Sequence, residues 1–161
     1  VDNFFATMAM RRHHASMSEL LNIPPVETAT DPVHSAADVG QRWRALMGQL
    51  GFGERLIWFA FVGPDRRFIK ALSQLEIGPS PTVVPVRRMM SAIHEVLDGF
   101  TDGTTVAALI TRPGKGNVIT RGDEKWAAFI AEAAAEFDVP IEPIFRANDD
   151  ALVEVTLPQA A

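Results

Sequence analysis

Seven consecutive apolar residues, Leu56–Val62 (LIWFAFV), constrain this chain more than any other segment. A strand with one wet face alternates polar and apolar side chains, so a strand apolar on both faces has to be covered on both. The run has strand length and falls far short of the ~18 apolar residues a membrane helix needs. A second run of the same kind, TTVAALIT (104–111), repeats the demand. Two such strands imply a sheet at the centre of the molecule with other elements packed against it.

The flanking patterns supply those elements. SAAD (35–38) is a capping box with Asp38 in place of the usual Glu, and it opens a helix carrying Val39, Trp43, Leu46, Met47 and Leu50 at helical spacing. GFG ends that helix. The turn GPDRR joins LIWFAFV to a second strand, FIKALSQLEI (68–77). GPSPTVVP is expected to be extended, with Pro85 in the first turn of a helix over VRRMMSAIHEVLDGF. TRGD (120–123) is another capping signal and starts an alanine-rich helix through Phe137. IEPIFRA and ALVEVTL close the chain as strands around the turn NDD. The order is helix, strand, strand, helix, strand, helix, strand, strand. It predicts a three-layer α/β/α domain with a mixed five-stranded sheet over residues 35–158.

Residues 1–34 differ, with short apolar patches, paired basic residues and a proline-containing polar stretch. They read as an N-terminal arm and linker that packs on a partner subunit or on the same subunit. Composition narrows the chemistry. With 47% apolar residues a normal core is affordable, and global disorder is not expected. No cysteine is present, which removes thiol nucleophiles and thiolate metal sites. Any metal would need His, Asp or Glu as ligands, and only four histidines exist, at 13, 14, 34 and 94. A net charge of −5 does not suit a protein that coats nucleic acid. With no export signal in view, the expected location is cytoplasmic, with no membrane association.

The stretch ITRPGKGNVITRGDEKW (110–126) runs from the end of an apolar strand into a helix start, where α/β proteins place their sites. It contains two glycines and the cations Arg112, Lys115 and Arg121. Together with the element order it resembles the JAB/JAMM/MPN metal-hydrolase superfamily, in its bacterial RadC-like branch, over about residues 40–157. In that family a strand ends in His-x-His-Pro, with seven residues between the second His and a Ser-x-x-Asp at a helix start. The resemblance implies that the two His and the Asp bind zinc, that the Ser polarises the reacting group, and that an upstream Glu handles the proton of the water. Here Pro113 matches the proline, Thr120 falls at the Ser position, Asp123 at the Asp position, and Glu54 at the upstream Glu. Ile110 and Arg112 occupy the two His positions. The fold so implied is JAMM- or cytidine-deaminase-like.

Zinc at a catalytic site needs three protein ligands and an open position. Isoleucine has no lone pair to offer, and a guanidinium is a permanent cation. The expectation is therefore a non-catalytic interaction or ligand-binding module with no metal and no cofactor, in which Arg112 forms a salt bridge to Asp123, with Glu54 as a second acidic partner. The simpler alternative has Asp123 only capping its helix and Arg112 pointing to water. A homodimer is what the resemblance suggests, with Phe4, Phe5, Met8 and Met10 of the arm as contacts. Two other functions stay open: a metal-dependent hydrolase with unusual ligands, and a binder of phosphate-bearing ligands or nucleic acid. The second would use Arg87, Arg88, Arg112, Lys115 and Arg121, glycine-exposed amides and a helix N-terminus. His94 reads as a core or boundary residue of its helix.

Overall fold

The computed structural model describes residues 23–157. They form a mixed α/β unit. Its helices are α1 (Ala36–Met47), α2 (Val83–Leu97) and α3 (Arg121–Glu136). Its strands are β1 (Leu56–Val62), β2 (Phe68–Glu76), β3 (Thr105–Thr111), β4 (Phe145–Ala147) and β5 (Leu152–Glu154). The five strands make one sheet in the order β2-β1-β3-β4-β5. β1 runs antiparallel to both neighbours, β3 and β4 are parallel, and β5 is antiparallel to β4. No helix among the described residues is long and apolar enough to cross a membrane.

All seven residues of β1 are buried, and alternation divides them between two cores. Leu56, Trp58, Ala60 and Val62 join Val39, Trp43, Leu46 and Met47 of α1. Ile57, Phe59 and Phe61 join Val86, Met90 and Ile93 of α2 and Trp126, Ala127 and Ile130 of α3. The unbroken apolar run is thus the trace of a strand packed on both sides.

The two capping signals act differently. At the start of α1, Ser35 Oγ accepts the Asp38 N–H, while Asp38 Oδ2 accepts the His34 N–H and not that of Ser35, so the expected box is half formed. At the start of α3, Thr120 Oγ1 accepts the Asp123 N–H while Asp123 Oδ2 accepts the Thr120 N–H, a reciprocal box.

Four expectations need correction. α1 ends at Met47, with Gly48 (φ +62°) as its C-cap, so Leu50 and the GFG segment lie beyond the helix. α2 begins at Val83, so part of GPSPTVVP is helical. Pro85 falls within the first turn, where its missing N–H has no intrahelical partner to lose. IEPIFRA is not one strand: Ile141 makes an isolated parallel bridge to Val106, and regular pairing starts only at Phe145, beyond Pro143, which has no N–H to donate. ALVEVTL pairs only over Leu152–Glu154. Of the arm, residues 1–22 lie outside the described residues, including Phe4, Phe5, Met8, Met10, His13 and His14. The rest of it, 23–34, is woven into the unit. It forms a 3-10 turn over Val26–Thr30, and Ala29 and Val33 lie in the α1-side core. The Val33 N–H donates to the Arg66 carbonyl at 2.8 Å.

Gly40, inside α1, shows how closely the sheet is approached: a Cβ there would lie 2.7 Å from Phe145 Cε2. Ordinarily Gly→Ala in a helix gains up to ~1 kcal/mol. Here overpacking against a buried ring is expected to win. Gly40→Ala should lower stability by about 1–3 kcal/mol in urea unfolding, and a gain would show that the ring yields freely.

Candidate functional site

The strand-to-helix loop 112–120 joins β3 to α3, and Asp123 sits at its end, 1% exposed. Arg112, the first residue past β3, reaches it as a fork: Nε donates to Oδ1 at 2.6 Å and Nη2 donates to Oδ2 at 2.9 Å. Its third nitrogen, Nη1, donates to the Pro113 carbonyl at 3.0 Å. The expected Arg112–Asp123 salt bridge is therefore present, in the bidentate geometry that makes such pairs strong. Asp123 does cap its helix as well, but Arg112 does not point to water.

Gly114 makes room for this fork. Its φ is +132°, and a Cβ at that position would lie 2.5 Å from Arg112 Nη1.

A second guanidinium, not foreseen, approaches from the sheet. Arg146 lies in β4, directly across the parallel ladder from Ile110. It is fully buried, and its Nε lies 3.3 Å from Asp123 Oδ2. Nη2 donates to the Val118 carbonyl at 3.1 Å. Among the described residues, Nε and Nη1 make no aligned hydrogen bond. The sequence did carry a signal: a lone arginine within the otherwise apolar IFRA has to be buried with a partner.

The electrostatics follow. Burial alone would push the Asp123 carboxyl up. The Arg112 hydrogen bonds, the Thr120 N–H and the charges of both arginines outweigh it and hold the group below the usual carboxylate range. Arg112 is raised, chiefly by its bond to Asp123. Arg146 is lowered, first by burial and then by repulsion from Arg112, with Asp123 opposing. One carboxylate thus serves two cations.

The other positions separate. Ile110 is fully buried in the α2/α3-side core, paired across the sheet with Arg146 of β4. Glu54 is exposed and lines a neighbouring concavity with Glu76 and Pro113, so it is not the expected acidic partner of Arg112. Arg55, one residue on, instead lines the concavity that contains Arg112, Thr120, Gly122 and Asp123.

The five cations expected to converge do not. Arg87 pairs with Glu136 at the last turn of α3, Nε to Oε2 at 3.0 Å, and Arg88 lines a surface hollow beside it. Thirteen residues of helix put that end about 20 Å from Asp123. Lys115 and Arg121 are exposed.

The glycine amides are not free for an anion either. Asp149 Oδ2 accepts the Gly114 N–H at 3.2 Å and Asp150 Oδ2 accepts the Gly116 N–H at 2.7 Å. The Asn148 amide donates to the Gly116 carbonyl at 2.8 Å. The turn NDD is a clamp on the loop. His94 is half-buried in α2, and no three or more of His, Asp and Glu among the described residues are grouped as a metal ion needs.

No protein-family model matches the chain, and no curated protein is significantly similar to it.

Replacing Asp123 with Asn removes the shared counter-charge from two buried or half-buried guanidiniums. The expected loss is about 3–5 kcal/mol in chemical denaturation. The acid limb gives the sign. Because the folded pKa is depressed, the contribution is complete above the unfolded value of ~4 and is lost as pH falls through the folded value. The native protein should lose stability over that acid range, and Asp123→Asn should lose less of it; parallel acid profiles for the two would contradict the assignment.

Proposed function

We propose that this chain is a JAMM-like, three-layer α/β/α module that has become non-catalytic, a binding or interaction protein whose former metal pocket is closed by an ion-pair cluster. The observation that carries the reading is the Arg112 fork on Asp123. In the resemblance, residue 123 is the one surviving zinc ligand, and here both its oxygens are already engaged by a guanidinium.

Several features support the reading. The elements follow the order it requires, with β1 antiparallel between β2 and β3. Thr120 and Asp123 occupy the first turn of the helix that follows the loop. Ile110 lies in β3 and Arg112 is the first residue beyond it, two positions on, with its N–H still donating to the Ala147 carbonyl of β4. Arg146 adds a second fixed positive charge beside Ile110. A divalent cation at Asp123 would therefore meet two guanidiniums and one carboxylate, against the requirement of three ligands with directed lone pairs. Such a cavity offers no Lewis acid and no activated water.

A scaffold that retains its packing while losing its catalyst serves by holding a partner or a ligand. Homodimerisation belongs to the same proposal, resting on the resemblance alone.

The test restores what was lost. Ile110→His with Arg112→His rebuilds the His-x-His pair opposite Asp123. The double variant is expected to bind one zinc per chain in calorimetry, while the native chain binds none stoichiometrically. Zinc binding by the native chain that is abolished by Asp123→Asn would overturn the proposal.

A further inference from the structure

The ion-pair cluster leaves a cationic concavity beside it, and we infer that this concavity binds a small phosphate group, inorganic or as a simple monoester. It encloses about 230 Å³, below the ~300–1,000 Å³ typical of drug-sized ligands. The inference rests on the metal-free reading, because an ion on Asp123 would displace Arg112.

Charge is the first observation. The lining contains two guanidiniums, Arg55 and Arg112, against the single carboxylate of Asp123. That carboxylate is spent: it accepts the Arg112 fork and the Thr120 N–H, and it neighbours Arg146. Arg112 itself has N–H groups to spare. A guanidinium carries five, and three are used.

Arg55 is the second observation. Among the described residues its side chain has no hydrogen bond and no ion pair, although its backbone is fixed by the Ile77 N–H donating to its carbonyl. Glu54 and Glu76 line the adjoining hollow that Arg55 also borders, and neither pairs with it. Behind Asp123 lies the third observation, the fully buried Arg146, with Nε and Nη1 lacking aligned partners. Among the described residues Arg146 has Asp123 alone as counter-charge and shares it with Arg112, and a buried cation so placed is stabilised by an anion that enters nearby.

The remaining lining suits a phosphate head. Thr120 contributes a hydroxyl, and Gly122 presents the first turn of α3 without a side chain to block it. Pro79 and Trp126 complete the lining. The site differs from the basic loop expected from sequence. Lys115 and Arg121 do not line it, and Arg87 and Arg88 lie at the other end of α3. A long polyanion is not its ligand, since the concavity admits one group rather than a backbone.

The experiment titrates inorganic phosphate, phosphoserine and acetate separately into the purified full chain by calorimetry, with zinc titrated in parallel. The expected result is saturable one-to-one binding of phosphate or phosphoserine in the millimolar range or tighter, with acetate weaker. Phosphoserine binding tighter than phosphate would identify a monoester as the source, and the reverse the free ion. Arg55→Gln should weaken binding about tenfold or more, with its melting temperature unchanged. Arg87→Ala and Lys115→Ala should leave the affinity within about twofold, since both lie outside the lining. Absence of saturable binding, equal binding by Arg55→Gln, or loss only in Arg87→Ala or Lys115→Ala would overturn the inference. If phosphate fails while zinc also fails to bind, this site alone is wrong; if zinc binds at Asp123, the metal-free reading fails with it.

Discussion

The carboxylate of Asp123, shared between the guanidiniums of Arg112 and Arg146, is the interaction on which the rest of the site depends. It ties three elements that meet at one end of the sheet: the end of β3, the middle of β4 and the first turn of α3. Each partner alone would be expensive to bury. A buried carboxylate without a cation would protonate, and a buried guanidinium without an anion is costly beyond what packing returns. Together they form a closed group in which one anion answers two cations, one fully buried and one mostly so. The cluster is not strong evidence of high stability, because an apolar substitute of the same volume often does as well. What it fixes is which groups stand where, and so what the cavity can hold.

The sheet explains how the cluster is assembled. β3 and β4 pair in parallel with Ile110 opposite Arg146, which sets a buried cation beside a fully buried apolar residue. β1, buried on both sides, anchors β3 along its whole length. The loop after β3 is held by the NDD turn: Asp149 and Asp150 take the Gly114 and Gly116 amides, and Asn148 takes the Gly116 carbonyl. Asp149 Oδ1 also accepts the Phe52 N–H, joining the segment ahead of β1 to the same clamp. Arg112 is thereby aimed at Asp123 instead of water. A loop that looked like an open anion nest has its amides consumed by the chain's own carboxylates.

Much of this was legible in the sequence, for identifiable reasons. Apolar runs, capping boxes and turn residues depend on neighbours a few positions apart, and they located β1, β2, β3, α3 and the start of α1 closely, while Gly48 stops α1 ahead of the GFG that was expected to end it. The Arg112–Asp123 pair was legible because both residues stand at a strand end and a helix start joined by a short loop. What was missed depends on register between distant segments. Arg146 reaches Asp123 only because β4 pairs parallel to β3. Arg87 and Arg88 were placed with the loop because their helix start was expected near it, whereas the packing of α2 on α3 sets them by Glu136. The polar look of residues 23–34 hid Ala29 and Val33, whose burial depends on surfaces supplied by α1 and β2.

The central claim is that Asp123 is an anion held by arginines and unavailable to a metal. Carbon NMR of its carboxyl, followed while zinc is added to the native chain at neutral pH and then through an acid titration without zinc, tests it most directly. The account predicts a signal unmoved by zinc and a midpoint below the usual carboxylate range. A saturable zinc-dependent shift of that carbon, or a midpoint at or above the ordinary value, would contradict it.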